Sequence, residues 1–392
     1  MSLLPVAEAQ ARLLALAAPL AIERLPLVEA AGRWAAEDVI ARRTQPAADL
    51  SMMDGYAIRF ADMPGPWRVV GESRAGLGMG TALQPGEAAR IFTGAPVPGG
   101  ADAILVQEEA EREGERLILA SEGPPQPGAH IRRCGSDFAA GAVLISEGDR
   151  LTPGRIAAAA VGGHGALAVR RQPRVTLIST GDELVPPGAL AEGAMLPASN
   201  GIMLHALIGG RAFVRDGGIV PDRLDALVEA LRSAEADIIV TSGGASVGDH
   251  DLIRPALAEA GASLDFWRIA MRPGKPLLAG RLGDAVVLGL PGNPASAFVT
   301  AQLFLLPLIA HLGGARRPLP SIEPAMLDAP LPAVGAREDY VRATYGRGRV
   351  CPLPNQDSGA LSTLAQANAL IVRAAGAAPA PVDEIVNILR IA

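Results

Sequence analysis

Three short stretches, VTLIST at 175–180, DIIVT at 237–241 and VVLGL at 286–290, decide the fold of this chain. Each is a mostly aliphatic run of strand length, and glycine, proline or acidic residues follow it at once. Helical patterns lie between them, and one places Leu224, Leu227, Val228 and Leu231 on a single face. Because strand and helix alternate, we predict an α/β domain with a doubly wound, mostly parallel sheet. Its ligands should bind in the loops at the carboxyl ends of the strands.

The composition of the 392 residues excludes several broad classes of protein. Apolar residues make up 49% and charged residues 19%, which suits the packed interiors of about two to four domains. A net charge of −6 and 3% aromatic residues argue against a nucleic-acid partner. Two cysteines make no disulfide framework, and we find no secretion signal and no apolar run of the roughly 18–20 residues that span a membrane. We therefore expect a cytoplasmic protein without a membrane or nucleic-acid partner.

The sequence pattern changes between helical and β-rich regions along the chain. Helical patterns occupy residues 5–18 and 30–40, and an alanine-rich helix begins at Pro153. A region of short apolar runs separated by Gly/Pro turns lies between these helical parts and indicates an inserted β-rich module. Short strands and turns return after the α/β region. The predicted units are 1–41 together with 139–171, then 42–138, 172–317 and 318–392.

The glycine-rich loop TSGGASVGDHD, residues 241–251, directly follows one of the buried strands. Glycines let backbone N–H groups approach an anion, and a following helix adds the positive end of its dipole. Ser242 and Ser246 could then bind phosphate oxygens. A tight turn with Asp251 capping the next helix explains the same residues, and the sequence leaves both interpretations open.

Two further loops are expected at the same edge of the sheet. In PGNP, residues 291–294, the prolines fix the backbone and Asn293 offers a donor and an acceptor. In STGDEL, residues 179–184, Asp182 and Glu183 would repel a neighbouring anion unless a metal intervenes, and Mg²⁺ prefers carboxylates with phosphates and water. An ordinary strand-to-helix turn and a solvated acidic loop are the alternatives.

The stretch RIAMRPGK carries three cations, Arg268, Arg272 and Lys275, on a loop stiffened by glycine and proline. Such a loop suits an oxyanion or a phosphate, although a solvated basic edge would look similar. Upstream, SMMDGY at 51–56 and RRCGSD at 132–137 contain acidic residues that singly indicate only turns or caps. The sequence contains no complete P-loop, and these motifs favour acid, metal and oxyanion chemistry.

Taken in order, these motifs resemble the molybdopterin molybdotransferases, the MoeA-type enzymes to which the C-terminal part of gephyrin is related. Each motif is weak alone, but their common order from residue 23 to residue 373 is specific. The motifs are MDGYA at 53–57, RIFTGA at 90–95, GADA at 100–103, Arg132 with Gly135 and Asp137, STGDEL at 179–184, TSGGASVG at 241–248, RPGKP at 272–276 and LPGNP at 290–294.

The resemblance implies both an architecture and a reaction. It implies an elongated helical domain, an inserted β module, a molybdopterin-binding α/β domain and a C-terminal β barrel. It implies a homodimer in which Asp54, Thr93 and Asp137 of one chain, as catalytic residues, approach the strand-end loops of the other. The implied transferase cleaves adenylylated molybdopterin with a divalent metal, expected to be Mg²⁺, and inserts molybdate into the dithiolene. Transfer complexes with other molybdenum-cofactor proteins are also implied.

The resemblance also assigns roles to residues of the α/β domain. The pterin phosphate end would be held by Ser242, Gly243, Gly244 and Ser246. Catalytic and metal-arranging acids would be Glu183, Asp222, Asp249 and Asp251, with Glu183, Asp249 and Asp251 as the metal ligands. Arg268, Arg272 and Lys275 would attract the anions, and Pro291, Asn293 and Pro294 would shape the pocket.

Two other functions share parts of this pattern. A molybdopterin adenylyltransferase has the same α/β domain, but the two upstream motifs argue against it. A non-enzymatic scaffold could keep the fold, but carboxylates and cations are retained in the strand-end loops. Arginine stands at 268 and 272, where relatives often carry lysine, and the choice between molybdate and tungstate stays open.

Overall fold

The central sheet confirms the predicted mostly parallel α/β fold. The computed structural model describes residues 3–244 and 252–391. The first four strands of the central sheet pair in parallel, and the fifth strand pairs antiparallel with both the fourth and the sixth. In spatial order the strands are Phe213–Val220, Arg174–Thr180, Ile238–Ser242, Ala285–Leu290, Leu278–Leu282 and Ser263–Trp267.

Helices cover both faces of this sheet, and the sheet separates two hydrophobic cores. Three residues of the predicted stripe, Leu227, Val228 and Leu231, are buried, whereas Leu224 at the start of the helix is exposed. Ser199 is the first residue of its helix, and Ala198 occupies the N-cap. The helices after the strands are Ser199–Ile208, Leu224–Arg232, Ile253–Ala260 and Pro294–Thr300, which continues through a π-helical turn at Ala301–Leu305 into Leu306–Leu312.

The segment Pro294–Leu312 corrects one expectation from the sequence. Its 19 residues are long and apolar enough to cross a membrane by length and composition, whereas we expected no such segment. In the fold, 78% of its most apolar part is buried inside the protein. Phe304 and Leu305 are fully buried in the core of the central sheet. The segment is therefore a core helix.

The inserted β-rich region forms a six-stranded sheet of its own. This sheet agrees with the β-rich texture predicted for residues 42–138. Its strands in spatial order are Ala103–Val106, Gly55–Ile58, Glu87–Ile91, Trp67–Ser73, Arg116–Leu119 and Ala110–Glu113. Short 3₁₀ turns at Phe60–Asp62 and Gln107–Glu109 follow two of these strands.

The N-terminal region differs from the prediction between residues 30 and 40. Only Leu27–Ala30 is helical there, because Gly32 adopts a positive φ of 80° and the following residues form β-bridges with Arg150 and Val169. The other elements of the region are the helices Val6–Ala15 and Pro153–Val161 and the strand pairs Ile22–Pro26 with Ala166–Arg170 and Val39–Ile40 with Val143–Ile145. The first helix buries Val6, Ala9 and Leu13 in the core of the central sheet.

The C-terminal region closes into a five-stranded barrel, as the resemblance implied. Each strand pairs with the next, and the last pairs back with the first. In order around the barrel the strands are Glu338–Gly346, Arg349–Pro352, Ile322–Leu327, Ile385–Arg390 and Ala369–Arg373. Met271–Arg272 pairs with the strand Glu338–Gly346, and the helix Leu361–Gln366 precedes the strand Ala369–Arg373. The barrel is thus joined to the loop that carries the three cations.

Candidate active site

A cavity of about 710 Å³ lies at the carboxyl edge of the central sheet. The ends of three parallel strands and the loops that follow them form most of its wall, as expected for a doubly wound sheet. Eight of the proposed site residues line it: Glu183, Asp222, Ser242, Gly243, Gly244, Pro291, Asn293 and Pro294.

The two loop glycines bring bare backbone to the cavity. Gly243 has φ 107°, and a Cβ there would lie 2.4 Å from the carbonyl oxygen of Thr180. Gly244 has φ 60°, and its Cβ would lie 2.7 Å from Ile253 Cγ1. Other residues rarely adopt these backbone angles, and there is no room for a side chain. Glycine at both positions therefore allows this loop to pack against Thr180 and Ile253 at the edge of the cavity.

Asn200 is a site residue that sequence reasoning missed. It lies in the first turn of the helix Ser199–Ile208, and its Nδ2 donates to Ser242 Oγ at 2.8 Å and to the Gly292 carbonyl at 2.7 Å. The side chain lines the cavity beside both of these loops. The only sequence signal was an amide directly after a strand-end loop, at the start of a helix.

The acidic side of the cavity is built by the loop after the strand Arg174–Thr180. Glu183 is exposed toward the cavity, and Asp182 accepts a hydrogen bond from the Asp222 amide at 3.0 Å. A Cβ on Gly181 would lie 2.5 Å from Glu183 Oε2, so glycine makes room for this carboxylate. Glu183 and Asp222 thus present carboxylates to the same space, which suits a divalent cation shared with phosphate and water.

The C-terminal region also contributes to the cavity wall, which the sequence did not predict. Gly359 and Leu361 line it. Asn293 Nδ2 donates to Ser358 Oγ at 3.1 Å, and the Ala295 amide donates to the Ser358 carbonyl at 3.0 Å. These bonds hold the barrel loop against the start of the helix at Pro294.

One wall of the cavity is apolar. Leu184–Val185 and Leu196–Pro197 form a short parallel ribbon, and Leu184, Leu196 and Pro197 face the cavity with Leu361. The serine, the glycines and the carboxylates line the rest of the cavity. The arrangement suits a ligand with a flat organic part and a charged phosphate part.

The three cations of the loop 268–275 stand beside the described cavity wall and not in it. Arg268 has φ 77°, and its guanidinium lies 4.0 Å from the centre of the Trp267 ring, with Arg254 4.1 Å from the same ring. Lys275 is exposed and precedes Pro276, which lines the cavity.

Arg272 faces the barrel. It lies 3.8 Å from Asp339 and lines a second cavity of about 300 Å³. Burial raises the pKa of Asp339, although Arg272 and two further arginines act in the opposite direction. The loop of cations is therefore anchored at the junction of the α/β and barrel regions.

The upstream motifs meet within the inserted region, away from the described cavity wall. Asp54 Oδ1 accepts hydrogen bonds from the Thr93 amide at 2.7 Å and from Thr93 Oγ1 at 2.8 Å. These bonds, with the nearby charge of Arg90, hold the pKa of Asp54 below its ordinary value. Asp54 and Thr93 therefore form one unit, and its carboxylate stays ionised at neutral pH.

Backbone pairing places the motif at 132–137 next to the segment that carries Asp54. Ile131–Arg132 pairs with Leu50–Ser51, and the Met52 amide donates to the His130 carbonyl at 2.8 Å. Asp137 is exposed, and its amide donates to the Gln45 carbonyl. Asp49 accepts from Arg133 at 2.6 Å and from the Cys134 amide at 2.8 Å.

Three proposed residues, Ser246, Asp249 and Asp251, lie outside the described residues. Within residues 3–244 and 252–391, no group of three or more His, Cys, Asp or Glu could hold a metal. Glu183 is the one predicted metal ligand in the described part of the chain.

Comparison with known families fits this geometry. Residues 4–163 match the MoeA N-terminal region (domain I and II), and residues 324–391 match the MoeA C-terminal region (domain IV). Residues 176–311, which include most of the cavity wall, match a family described as a probable molybdopterin binding domain. A molybdopterin molybdenumtransferase of Haemophilus influenzae is 36% identical over 365 residues, covering 90% of each chain. The chain belongs to the molybdopterin molybdenumtransferase family.

Other relatives agree with this assignment. A molybdopterin molybdenumtransferase of Bacillus subtilis is 32% identical, covering 90% of this chain and 86% of that one. Gephyrin of Dictyostelium discoideum is 32% identical over 90% of this chain and 57% of its own length. The crystal structure of the MoeA molybdopterin biosynthesis protein of Pyrococcus horikoshii has a TM-score of 0.85 and 28% identity, covering 99% of this chain. As a molybdopterin molybdenumtransferase, the chain is a transferase of molybdenum cofactor biosynthesis.

Proposed function

We propose that the 710 Å³ cavity binds adenylylated molybdopterin, and that the enzyme cleaves its phosphoanhydride and inserts molybdate into the dithiolene. The observation that carries the proposal is the meeting of carboxylates, a serine and two bare glycines at one sheet edge. The apolar ribbon wall suits the flat pterin, and the polar wall suits phosphate. Cleavage by water releases AMP and leaves the pterin phosphate. Molybdate then bonds to both dithiolene sulfur atoms, and one molybdate oxygen leaves as water with the two thiol protons.

Ser242, Gly243 and Gly244 are proposed to hold the phosphate end of the pterin, with Ser246 from the same loop. The positive φ angles at both glycines support close approach of phosphate oxygens to the main chain. Pro291, Asn293 and Pro294 shape the adjoining wall, which the barrel loop braces through Ser358.

Mg²⁺ is proposed as the divalent cofactor. Glu183 and Asp222 line the cavity and fit its preference for oxygen ligands, and Asp249 and Asp251 are proposed to complete the acidic set. When bound, the cation would offset the charge of the phosphoanhydride. Arg268, Arg272 and Lys275 are proposed to draw molybdate toward the site, because cations beside the cavity raise the local concentration of an anion.

The enzyme is proposed to act in the cytoplasm as a homodimer that exchanges pterin with other molybdenum-cofactor proteins. In this dimer Asp54, Thr93 and Asp137 of one chain complete the cavity of the other as catalytic residues. The Asp54–Thr93 unit supports this proposal. Its carboxylate is ionised, and in the part of the chain that the structure describes it does not line the cavity of its own chain.

The decisive experiment measures AMP release from adenylylated molybdopterin with and without molybdate. Wild type should release AMP in a molybdate-dependent manner, whereas Asp54→Ala and Glu183→Ala should abolish it and leave a folded dimer. Asp284→Ala, at a fully exposed acid on a central-sheet turn, is the matched control and should keep wild-type turnover. A scaffold would release no AMP at all, and unchanged turnover in the Asp54 or Glu183 variant would remove that residue from the mechanism.

A further inference from the structure

The Asn200 amide joins three segments of the cavity wall. Asn200 begins a helix, Ser242 ends a central strand, and Gly292 lies in the turn before the helix at Pro294. Asn200 Nδ2 donates a hydrogen bond to Ser242 Oγ at 2.8 Å and another to the Gly292 carbonyl at 2.7 Å. Both protons of this NH₂ group are therefore used in the site itself.

The orientation of this amide is fixed by chemistry. A carbonyl oxygen only accepts hydrogen bonds, so the Asn200 atom that faces Gly292 must be the nitrogen. Asn200 Oδ1 is buried and finds no partner among the described residues. Turning the amide over would place this oxygen against the Gly292 carbonyl, which is worse. The side chain thus keeps its donors bound although its acceptor is left unsatisfied.

The fixed amide determines what Ser242 can do. The Ser242 hydroxyl accepts a hydrogen bond from Asn200, so its own proton points elsewhere. Ser242 is buried to 5% exposure and lines the cavity. A phosphate oxygen accepts hydrogen bonds and donates none, so a serine that presents its proton is the useful form.

We propose that Asn200 is a positioning residue that holds Ser242 as a hydrogen-bond donor toward the phosphate of the substrate. The inference rests on the proposed function, in which Ser242 binds that phosphate. Without the Asn200 amide, the hydroxyl rotates freely and its proton points toward the ligand only part of the time. The loss falls on binding, because the bond to phosphate is made by substrate and transition state alike.

Two variants at this position give graded outcomes. Asn200→Ala should raise KM for adenylylated molybdopterin about tenfold with little change in kcat. This is the change expected when one hydrogen bond to a charged phosphate is weakened. Asn200→Asp should raise it about a hundredfold, because the carboxylate takes the Ser242 proton and repels phosphate. Asn387→Asp makes the same exchange at an exposed position on the barrel and should leave KM unchanged.

A double-mutant cycle with Ser242→Ala decides between positioning and simple structural support. If Asn200 acts through the serine, Asn200→Ala should have little further effect on KM once the hydroxyl is absent. An equal rise in KM with and without the Ser242 hydroxyl would overturn the inference and assign Asn200 to holding the Gly292 turn. Should Asn200→Ala melt too low to assay, the cycle is run with Asn200→Ser.

The same assay distinguishes failure of the proposed function from failure of the inference about Asn200. Wild-type enzyme that releases no AMP would refute the proposed function. A wild-type KM in Ser242→Ala, with wild-type AMP release intact, would refute the phosphate role of Ser242 and with it the inference about Asn200.

Discussion

At the scale of single residues, Gly243 allows the loop after the strand Ile238–Ser242 to pack against the backbone of Thr180. Its φ of 107° and the Thr180 carbonyl 2.4 Å from a hypothetical Cβ leave no room for alanine. We expect Gly243→Ala to cost about 1–3 kcal/mol in strain and to displace the Ser242 loop. Denaturant unfolding should show the loss of stability, and KM should rise.

The control for this change is Gly154→Ala. Gly154 lies near the start of the helix Pro153–Val161, and a Cβ there meets nothing within 4 Å. Alanine should stabilise the helix by about 0.5–1 kcal/mol without affecting substrate binding. Equal stability of the Gly243 and Gly154 variants would show that the loop adapts at no cost.

Residue by residue, the sequence revealed the side chains that come directly after a strand, but not the contacts between distant parts of the chain. Ser242, Gly243 and Gly244 could be placed in the cavity because parallel strands present their carboxyl ends at one edge. Asn200 was missed because its partners lie 42 and 92 residues away in sequence. Lys275 and its neighbouring arginines could be assigned to a loop. The directions of the arginine side chains could not be predicted, because they depend on stacking against Trp267 and on contacts with the barrel.

At the scale of elements, Arg171 and Asp237 join the end of the strand Ala166–Arg170 to the start of Ile238–Ser242. Two bonds of 3.0 and 2.7 Å link the guanidinium to the carboxylate, and the Arg174 amide adds a third at 2.7 Å. Burial pushes the pKa of Asp237 upward, but these hydrogen bonds and the charges of both arginines outweigh it. The pKa of Asp237 is therefore held below its ordinary value.

A pH-dependent loss of stability is expected from this pair. Because the pKa is lowered in the folded state, the stabilisation is complete above the unfolded value of about 3.9 and disappears as pH falls through the folded value. Asp237→Asn should lower the free energy of unfolding by about 1–2 kcal/mol at pH 7, and the difference from wild type should shrink below about pH 4. Urea unfolding at the two pH values measures this.

Asp284→Asn serves as the control because Asp284 is fully exposed and its only described ion pair, with Arg281, is 3.6 Å long. It should leave stability unchanged at both pH values. A difference between wild type and Asp237→Asn that persists unchanged in acid would point to packing as the cause.

Most elements could be predicted because their apolar patterns match their burial. The strand at 238–242 and the helix at 224–232 are clear cases. The helix expected over 30–40 does not form, because Gly32 has a positive φ and Trp34 and Ala35 form β-bridges with residues distant in sequence. The strand Leu278–Leu282 was not foreseen, because Gly280 and Arg281 interrupt its apolar run and its place comes from pairing with two neighbours.

At the scale of the whole molecule, a site shared between two chains makes a testable prediction. Asp54→Ala and Glu183→Ala should each be inactive alone. If each site takes Asp54 from one chain and Glu183 from the other, a mixed dimer has one site with both changes and one with neither. Random remixing of the two variants in equal amounts should then restore about a quarter of wild-type AMP release.

The mixing experiment needs no structure of the dimer. The two variants are unfolded and refolded together, and the same variants refolded separately and then combined serve as the control. Activity that stays at the background of the separate samples would show that each chain builds its site alone.

The contribution of Gly359 and Leu361 to the cavity also bears on how the protein is made. Ribosomes synthesise Asn200 and Ser242 long before these residues, so an unfinished chain has a pocket with one side missing. Completion of the pocket is therefore among the final events of biosynthesis, and an unfinished chain should bind the ligand of this cavity weakly.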